Sequence, residues 1–407
     1  MEEIVEIEGL AYGGYGYGRL SNGKVVFVPL SAPKDRLMVK IVDEKNQYAF
    51  GEIVEIIEES PYRIDPDCEV FGRCGGCQFL CVDYKTQVEE KIRIVKRELV
   101  RNLKEDVEFE GVITGPEVRY RRRAKLFVEN RIIGFRMARS EKLVPVGRCR
   151  ILTENLEKAL LVLYSYRSVL KKGKEIFLGE SNRKDWVIVG IRAVDKIREI
   201  HDIFHKLEEE LKVKVGLRIF YPGKYSTLGK GYLRDVIMDS EVRYDYFSFF
   251  QSNLYLTEDL VRIVFDLVDD GNKILELFAG SGTFTIPLSK KAKSIVAVEI
   301  DKKAVKMLES IKGDNVEVIN RDVEEFMESI DYGEFDVVIV DPPRVGLTGK
   351  VIEGIKSIAP DRIIYVSCNP STLSRDIAKL GYRVKKIWLI DMFPQTYHIE
   401  LVTLLEK

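Results

Sequence analysis

From about residue 255 onward the chain settles into a regular alternation, and no other feature limits its fold so tightly. Apolar runs at Ile274–Leu277, Ser294–Val298, Val316–Ile319, Asp336–Val340 and Arg362–Val366 are spaced widely enough for a helix between each pair. Parallel neighbours need such crossovers, so the pattern predicts a doubly wound parallel sheet. A helix over Thr257–Leu267 precedes it, and a strand pair, Lys385–Ile390 with His398–Leu405, closes it. Sheets of this kind collect their chemistry at the carboxyl ends of the strands. A thiol stands at one such end: Cys368, in Ser367-Cys368-Asn369-Pro370, directly follows Ile363-Ile364-Tyr365-Val366. A lone cysteine is more often buried and inert than reactive. The motifs at the neighbouring strand ends reverse that expectation.

After the first strand comes Glu276-Leu277-Phe278-Ala279-Gly280-Ser281-Gly282-Thr283, whose small residues let the backbone approach a ligand as the next helix begins. It is not the G-x-G-x-x-G fingerprint. Glu299 ends the next strand about 20 residues on, where an acid can hold ribose hydroxyls. Asp322 ends the third strand, suited to an adenine amino group, and Asp341-Pro342-Pro343-Arg344 ends the fourth. The two prolines stop that strand and leave the carboxylate at the sheet's edge. Amine methylators with a similar motif usually carry an aromatic after the prolines; Arg344 speaks against exocyclic-amine chemistry. Each feature alone is more often a cap or a turn. Together they point to an adenosyl cofactor.

A thiol beside such a cofactor suits methylation at C5 of a pyrimidine. Thiolate addition to C6 makes C5 nucleophilic, and a base must then remove the C5 proton. Glu400, at the start of the closing strand pair, is the candidate base; its plainer reading is an exposed strand glutamate. Gln251, in Phe249-Phe250-Gln251-Ser252-Asn253, is a candidate contact to cofactor or base.

The amino-terminal residues 1–59 read as a small all-β barrel, with runs at Ile4–Ile7, Lys24–Leu30, Leu37–Val42 and Tyr48–Ile57. Tyr12-Gly13-Gly14-Tyr15-Gly16-Tyr17-Gly18-Arg19 interleaves rings with glycine, as a base-stacking loop or a flexible hairpin would. A break near Ser60-Pro61 opens a second region that holds five of the six cysteines. Cys68, Cys74 and Cys77 supply three thiolates, with Cys81 or Cys149 as the fourth. Zinc and an iron–sulfur cluster both suit such a set, and the spacing does not choose between them. A helix over 85–102 follows, striped by Val88, Ile92, Val95 and Leu99, and a mixed α+β stretch runs from Tyr120 to about Ser240. His201 and His205, four apart on a helix, read as surface or packing residues.

Net charge is −1, yet between 111 and 150 eleven Lys and Arg face only three acids. A local basic surface can bind a phosphate backbone even on a neutral chain. At 407 residues the length suggests two to three domains, and 45% hydrophobic with 32% charged residues describes a globular protein. No apolar run approaches the ~18 residues of a membrane span. The acidic start, Met1-Glu2-Glu3, lacks a signal-peptide pattern, so a cytoplasmic protein is expected.

Taken together, the SCNP, DPPR and cysteine motifs resemble, in order and over essentially the whole chain, the RNA 5-methyluridine (uracil-C5) methyltransferase family. The resemblance implies a multidomain protein: an OB-like TRAM barrel over 1–60 that holds RNA, an α+β central domain over 61–240 with a four-cysteine cluster site, and a class I, Rossmann-like methyltransferase domain over 241–407. It implies S-adenosyl-L-methionine as cofactor, Cys368 as nucleophile and Glu400 as proton acceptor. Cofactor contacts are implied at Gln251, Phe278, Glu299, Asp322 and Asp341, and at Thr283, where the family often carries Asn. A 4Fe–4S cluster is implied on Cys68, Cys74, Cys77 and Cys149, leaving Cys81 unexplained. A tRNA T-loop uridine and a 23S rRNA uridine both fit, with the tRNA slightly favoured, and a monomer is the expected state. Cytosine-C5 methylation and a non-catalytic RNA-binding or redox-sensing protein are the alternatives.

Overall fold

The computed structural model describes residues 1–104, 107–329 and 334–407. Its amino-terminal strands, Glu2–Ala11, Tyr15–Arg19, Val25–Pro29, Arg36–Glu44 and Tyr48–Glu58, form a closed barrel. Period-two alternation sends Val5, Ile7, Val26, Val28, Leu37 and Val39 inward. The aromatic–glycine segment, expected as a base-stacking loop or a flexible hairpin, is the turn and second strand of a hairpin: Tyr15–Arg19 pairs on both sides. In so small a barrel the backbones pass closely, and a Cβ on Gly16 would strike Ser31, one on Gly18 the Glu6 carbonyl. Only Gly13 and Gly14, at φ +103° and +88°, turn the chain. Tyr15 is therefore held in place, its ring packed on Phe27 and Phe50.

The carboxyl-terminal sheet has eight strands. Its parallel part runs Val316–Asn320, Ser294–Glu299, Lys273–Leu277, Val337–Val340, Arg362–Ser367. Glu400–Glu406 then enters antiparallel, followed by Arg383–Ile390. A final strand, Gly111–Ile113, comes from the middle of the chain. Helix Tyr84–Leu103 joins it there, packing on helix Pro370–Leu380 with Asn102 Nδ2 donating to Ser374 Oγ at 2.6 Å. Division at residues 60 and 240 thus follows chain order more than packing. The hairpin Leu233–Ile237 with Ser240–Tyr244 straddles the second boundary, and Leu233, Ile237, Val242 and Tyr244 share a core with Ile274 and Val402.

In chain order a seven-stranded mixed sheet comes between barrel and catalytic sheet, one face covered by helices Glu154–Ser165 and Ile200–Leu211. His201 and His205 are exposed on the second helix. The basic stretch is not a single patch. Arg122 is fully buried against Asp235 at 2.6 Å, Arg119 and Arg148 share Glu157, and Arg150 meets Asp67. Arg121 and Arg123 meet no carboxylate among the described residues. None of the described helices is long and apolar enough to cross a membrane.

One ion pair ties these parts to the site. Lys91 Nζ, on helix Tyr84–Leu103, meets Asp391 Oδ1 at 2.6 Å with both side chains fully buried, and also donates to the Phe393 carbonyl at 3.0 Å. Burial alone would pull the ammonium pKa down, and it is Asp391 that opposes this. Removing one partner strands the other in a low dielectric. Lys91→Ala is expected to destabilise the protein by about 3–5 kcal/mol, read from the guanidinium midpoint, whereas Lys91→Met with Asp391→Leu recovers most of the loss.

Candidate active site

Strand Arg362–Ser367 pairs antiparallel with Glu400–Glu406, with Ser367 opposite Leu401. One step further in that register sets Cys368 opposite Glu400. The chain then turns at once into helix Pro370–Leu380: Asn369 caps it, Oδ1 accepting from Ser371 N at 3.1 Å, and Pro370 occupies the first turn, where no N–H is missed. Asn369 Nδ2 donates to the Arg344 carbonyl at 3.0 Å and so ties the SCNP turn to the DPPR turn. Cys368 is partly exposed, while Glu400 is buried. The strand glutamate is not a solvent residue.

Acids crowd this strand edge. Burial raises Glu400 well above the usual carboxylate range, Asp341 adds repulsion and Arg344 opposes both. Asp341 is pushed up to about 7 by burial. The Cys368 thiol rises to about 12, first through burial, then through Glu400, with Arg344 pulling the other way. Arg344 also donates to the ring of His398, 3.1 Å from Nε2. Burial and that guanidinium drive the imidazole down to about 3, so it stays neutral. The sequence did not single out His398.

At the neighbouring strand ends the glycine loop is built around Phe278 and Gly280, at φ +65° and +58°, and a Cβ on Gly280 would meet nothing within 4 Å. Glu299 accepts from Gly280 N at 2.8 Å and Asp301 N at 2.7 Å, and so fixes the loop to the next strand. Asp322 Oδ1 accepts from Glu324 N and Glu325 N at the start of the next helix. The helix after the loop is only Thr285–Leu288, shorter than the alternation suggests. Thr283 Oγ1 lies 3.3 Å from the Tyr244 hydroxyl. Gln251 is buried on the segment between the two sheets. Two polar atoms beside the loop, Glu276 Oε1 and Ser281 Oγ, are buried without a partner. Burial lifts Glu276 to about 8, so near neutral pH it holds its proton. An open glycine wall with unmatched polar atoms fits a small polar cofactor.

Residues 192–407 match the family model for tRNA (uracil-5-)-methyltransferase, and residues 2–54 match the TRAM domain. The chain belongs to the RNA (uracil-5-)-methyltransferase family. An uncharacterized RNA methyltransferase of Thermotoga maritima is 33% identical over 100% of this chain and 99% of its own. A 23S rRNA (uracil(1939)-C(5))-methyltransferase of Histophilus somni is 31% identical, covering 98% of this chain and 95% of its own. The crystal structure of Pyrococcus abyssi tRNA (uracil-54, C5)-methyltransferase in complex with S-adenosyl-L-homocysteine aligns over 100% of both chains, with a TM-score of 0.78 and 26% identity. The protein is thus an S-adenosylmethionine-dependent RNA uracil-C5 methyltransferase with an amino-terminal TRAM barrel.

In this methyltransferase the barrel reaches the thiol. The Tyr12 hydroxyl donates to the Cys368 carbonyl at 3.2 Å, and the Tyr12 ring sits edge-on to Tyr397 at 5.4 Å. The sequence marked Tyr12 only as one ring of the aromatic–glycine segment; its contact with Cys368 spans most of the chain and left no local signal. Glu276 left a trace: an acid inside the otherwise apolar run Ile274–Leu277.

Cys68, Cys74, Cys77 and Cys149 line one cavity of about 270 Å³. Burial pushes the Cys74 thiol up to about 11, and its neighbours Cys149 and Cys68 add to the rise. The expected metal centre is not shown, however: among the described residues no group of three or more His, Cys, Asp or Glu side chains is arranged to hold a metal ion. Cys81 is accounted for. It is buried between barrel and central region against Ala32, Val82 and Phe71, with Sγ 3.6 Å from the Leu30 carbonyl.

The charges around Cys368 set its reactivity. Iodoacetamide alkylation followed by mass spectrometry is expected to show a high-pH midpoint for this thiol. Glu400→Gln lowers that midpoint by about one pH unit or more and Arg344→Met raises it comparably, because each removes one nearby charge of opposite sign.

Proposed function

We propose that Cys368 and Glu400 divide the work of uracil-C5 methylation between them. What carries this reading is their register: neighbouring antiparallel strands end on a thiol and a carboxylate at the same step, beside Asp341 and Arg344. Cys368 Sγ adds to C6 of the extruded uridine, and Arg344 favours the thiolate that does so. S-adenosylmethionine supplies the methyl group that C5 then takes. Glu400 accepts the C5 proton, the C5–C6 double bond re-forms and Cys368 leaves as thiolate. A carboxylate whose pKa is raised by burial is the stronger base once ionised. Gln251, Phe278, Thr283, Glu299, Asp322 and Asp341 are proposed to hold the cofactor; Glu276 and Ser281, with their unmatched oxygens, join them.

The substrate proposed is a uridine in structured RNA. The Histophilus somni relative is named for 23S rRNA and the Pyrococcus abyssi structure for tRNA. The T-loop uridine of tRNA remains the favoured substrate, and a 23S rRNA uridine is the alternative. We also propose a 4Fe–4S cluster on Cys68, Cys74, Cys77 and Cys149. Its support is the cavity's charge: Arg121, Arg123, Lys125, Arg136 and Arg148 line it with no acid among them, a complement to an anionic, thiolate-bound group.

With RNA tritiated at uridine C5, Cys368→Ala is expected to release no tritium while still binding S-adenosylmethionine by calorimetry. Glu400→Gln is expected to slow release by at least about a hundredfold, the usual worth of a general base, and to accumulate an enzyme–RNA adduct that survives denaturing gels. Retained release in Cys368→Ala removes the covalent scheme. Mass spectrometry of tRNA and 23S rRNA reacted side by side identifies the substrate. Iron and sulfide analysis of anaerobically purified protein checks the cluster, which Cys77→Ser is expected to abolish.

A further inference from the structure

One face of the seven-stranded sheet lies away from helices Glu154–Ser165 and Ile200–Leu211, which pack on the other. Its strand registers bring Phe127, Glu175, Arg192, Phe220 and Tyr225 into one row across five strands. The adjacent row runs Lys125, Phe177, Gly190, Arg218 and Thr227. Rings and cations are interspersed across the two rows, with Glu175 and Gly190 among them. Lys125 lies over Phe127 and Phe177 at 5.0 and 5.4 Å, and Arg192 over Phe177 and Phe247 at 5.2 and 4.8 Å. Lys303, from the catalytic domain, lies over Phe220 and Phe247 at 5.2 and 4.9 Å. Tyr225 is 64% exposed at the far edge.

The third row explains how this face joins the catalytic side. Gly179 and Gly216 lie there, and the rings of Phe250 and Tyr246 fill the space their missing side chains leave. That trough seats the segment leading into Gln251. From it the strand Arg123–Glu129 runs outward, beginning two residues after Arg121, whose charge reaches His398. At the other end Arg136 lies over Phe127 at 4.5 Å, and Arg139 over the barrel ring of Tyr15 at 4.2 Å. The carboxylates on the face, Glu175, Asp245 and Glu129, are each already shared with a cation, and Arg123 has none.

We propose that the part of this sheet face left uncovered by residues 246–250 is a stacking platform for unpaired nucleotides of the substrate RNA flanking the target uridine, with bases on Phe127, Phe220 and Tyr225 and phosphates on Arg123, Lys125 and Arg192. The proposal rests on the RNA-methylating reading of the site. Single-stranded RNA presents both π-faces and phosphates, and a sheet face on which rings and cations are interspersed can engage both. A folded protein partner would instead call for a contiguous apolar centre.

The test uses the full chain and fluorescence anisotropy, which needs no turnover. Probes are unpaired oligouridine and a perfect RNA duplex of equal length. The Phe220→Ala/Tyr225→Ala variant is expected to bind oligouridine roughly tenfold or more weakly, the loss of stacked bases, and to bind duplex as the parent does. Tyr225→Phe, which keeps the ring, is expected to bind like the parent, and Arg192→Ala is expected to flatten the salt dependence of binding. Methyl transfer to the RNA substrate by the double variant should show raised KM with kcat unchanged. Oligouridine binding within twofold of the parent, or an equal loss on duplex, overturns the platform. A parent protein that binds oligouridine in this ring-dependent way but forms no 5-methyluridine on any RNA overturns the catalytic reading and leaves the platform standing.

Discussion

Lys91 and Asp391 meet out of water, and the loop that runs from Asp391 to Ile399 is held in place around that contact. Gln87 Nε2 donates to Gln395 Oε1 at 2.8 Å and Gln87 Oε1 accepts from Gln395 N at 3.0 Å. The Tyr120 hydroxyl donates to the Pro394 carbonyl at 2.8 Å, and Asn253 Nδ2 to the Met392 carbonyl at 3.2 Å. A loop this enclosed must have its backbone groups satisfied by neighbours. Three distant segments do so, and they thereby set the position of Glu400 at the loop's end. The carboxylate opposite Cys368 is thus held by the whole fold, not by its own strand alone.

Burying that carboxylate beside Asp341, with Glu276 close behind, concentrates acid at one strand edge. Arg344 is the cation that acts on Glu400 and Cys368 alike. Its reach is doubled, since it also keeps His398 neutral. Burial first, then Glu400 and Asp341, raise the Cys368 thiol, and Arg344 alone among the named charges pulls it back.

The barrel is built into this arrangement. Leu10 N donates to Glu90 at 2.7 Å and the Leu10 carbonyl accepts from Arg97 at 2.6 Å, which fixes the barrel rim to helix Tyr84–Leu103. That helix also carries Gln87 and Lys91. The module at the front of the chain, the clamp on loop 391–399 and the carbonyl of Cys368 therefore share one rigid connection, through Glu90 on one side and Tyr12 on the other.

Much of this was legible because local chemistry forces it. The strand–helix rhythm after 255 specifies a parallel sheet, and the residues after Leu277, Val340 and Val366 mark its working edge whatever else the chain does. Glu299 and Asp322 were found at strand ends, though their recorded bonds are to backbone N–H groups of neighbouring turns. Other features were out of reach of any linear reading. The glycines of Tyr12–Arg19 look like flexibility, yet Gly16 and Gly18 sit where barrel strands cross closely and Gly13 and Gly14 make the turn. Gly111–Ile113 is too short to register as a strand until Trp388–Ile390 offers it an edge. The basic run at 111–150 reads as one patch, but Arg122 turns inward to Asp235 while Arg123 stays unmatched. Sequence by itself determined the chemical groups and the strand ends that bear them, because burial periodicity and turn residues act over a few positions. Tertiary structure alone decided which groups meet, because a contact between residues 12 and 368, or 91 and 391, depends on packing that no short-range pattern records.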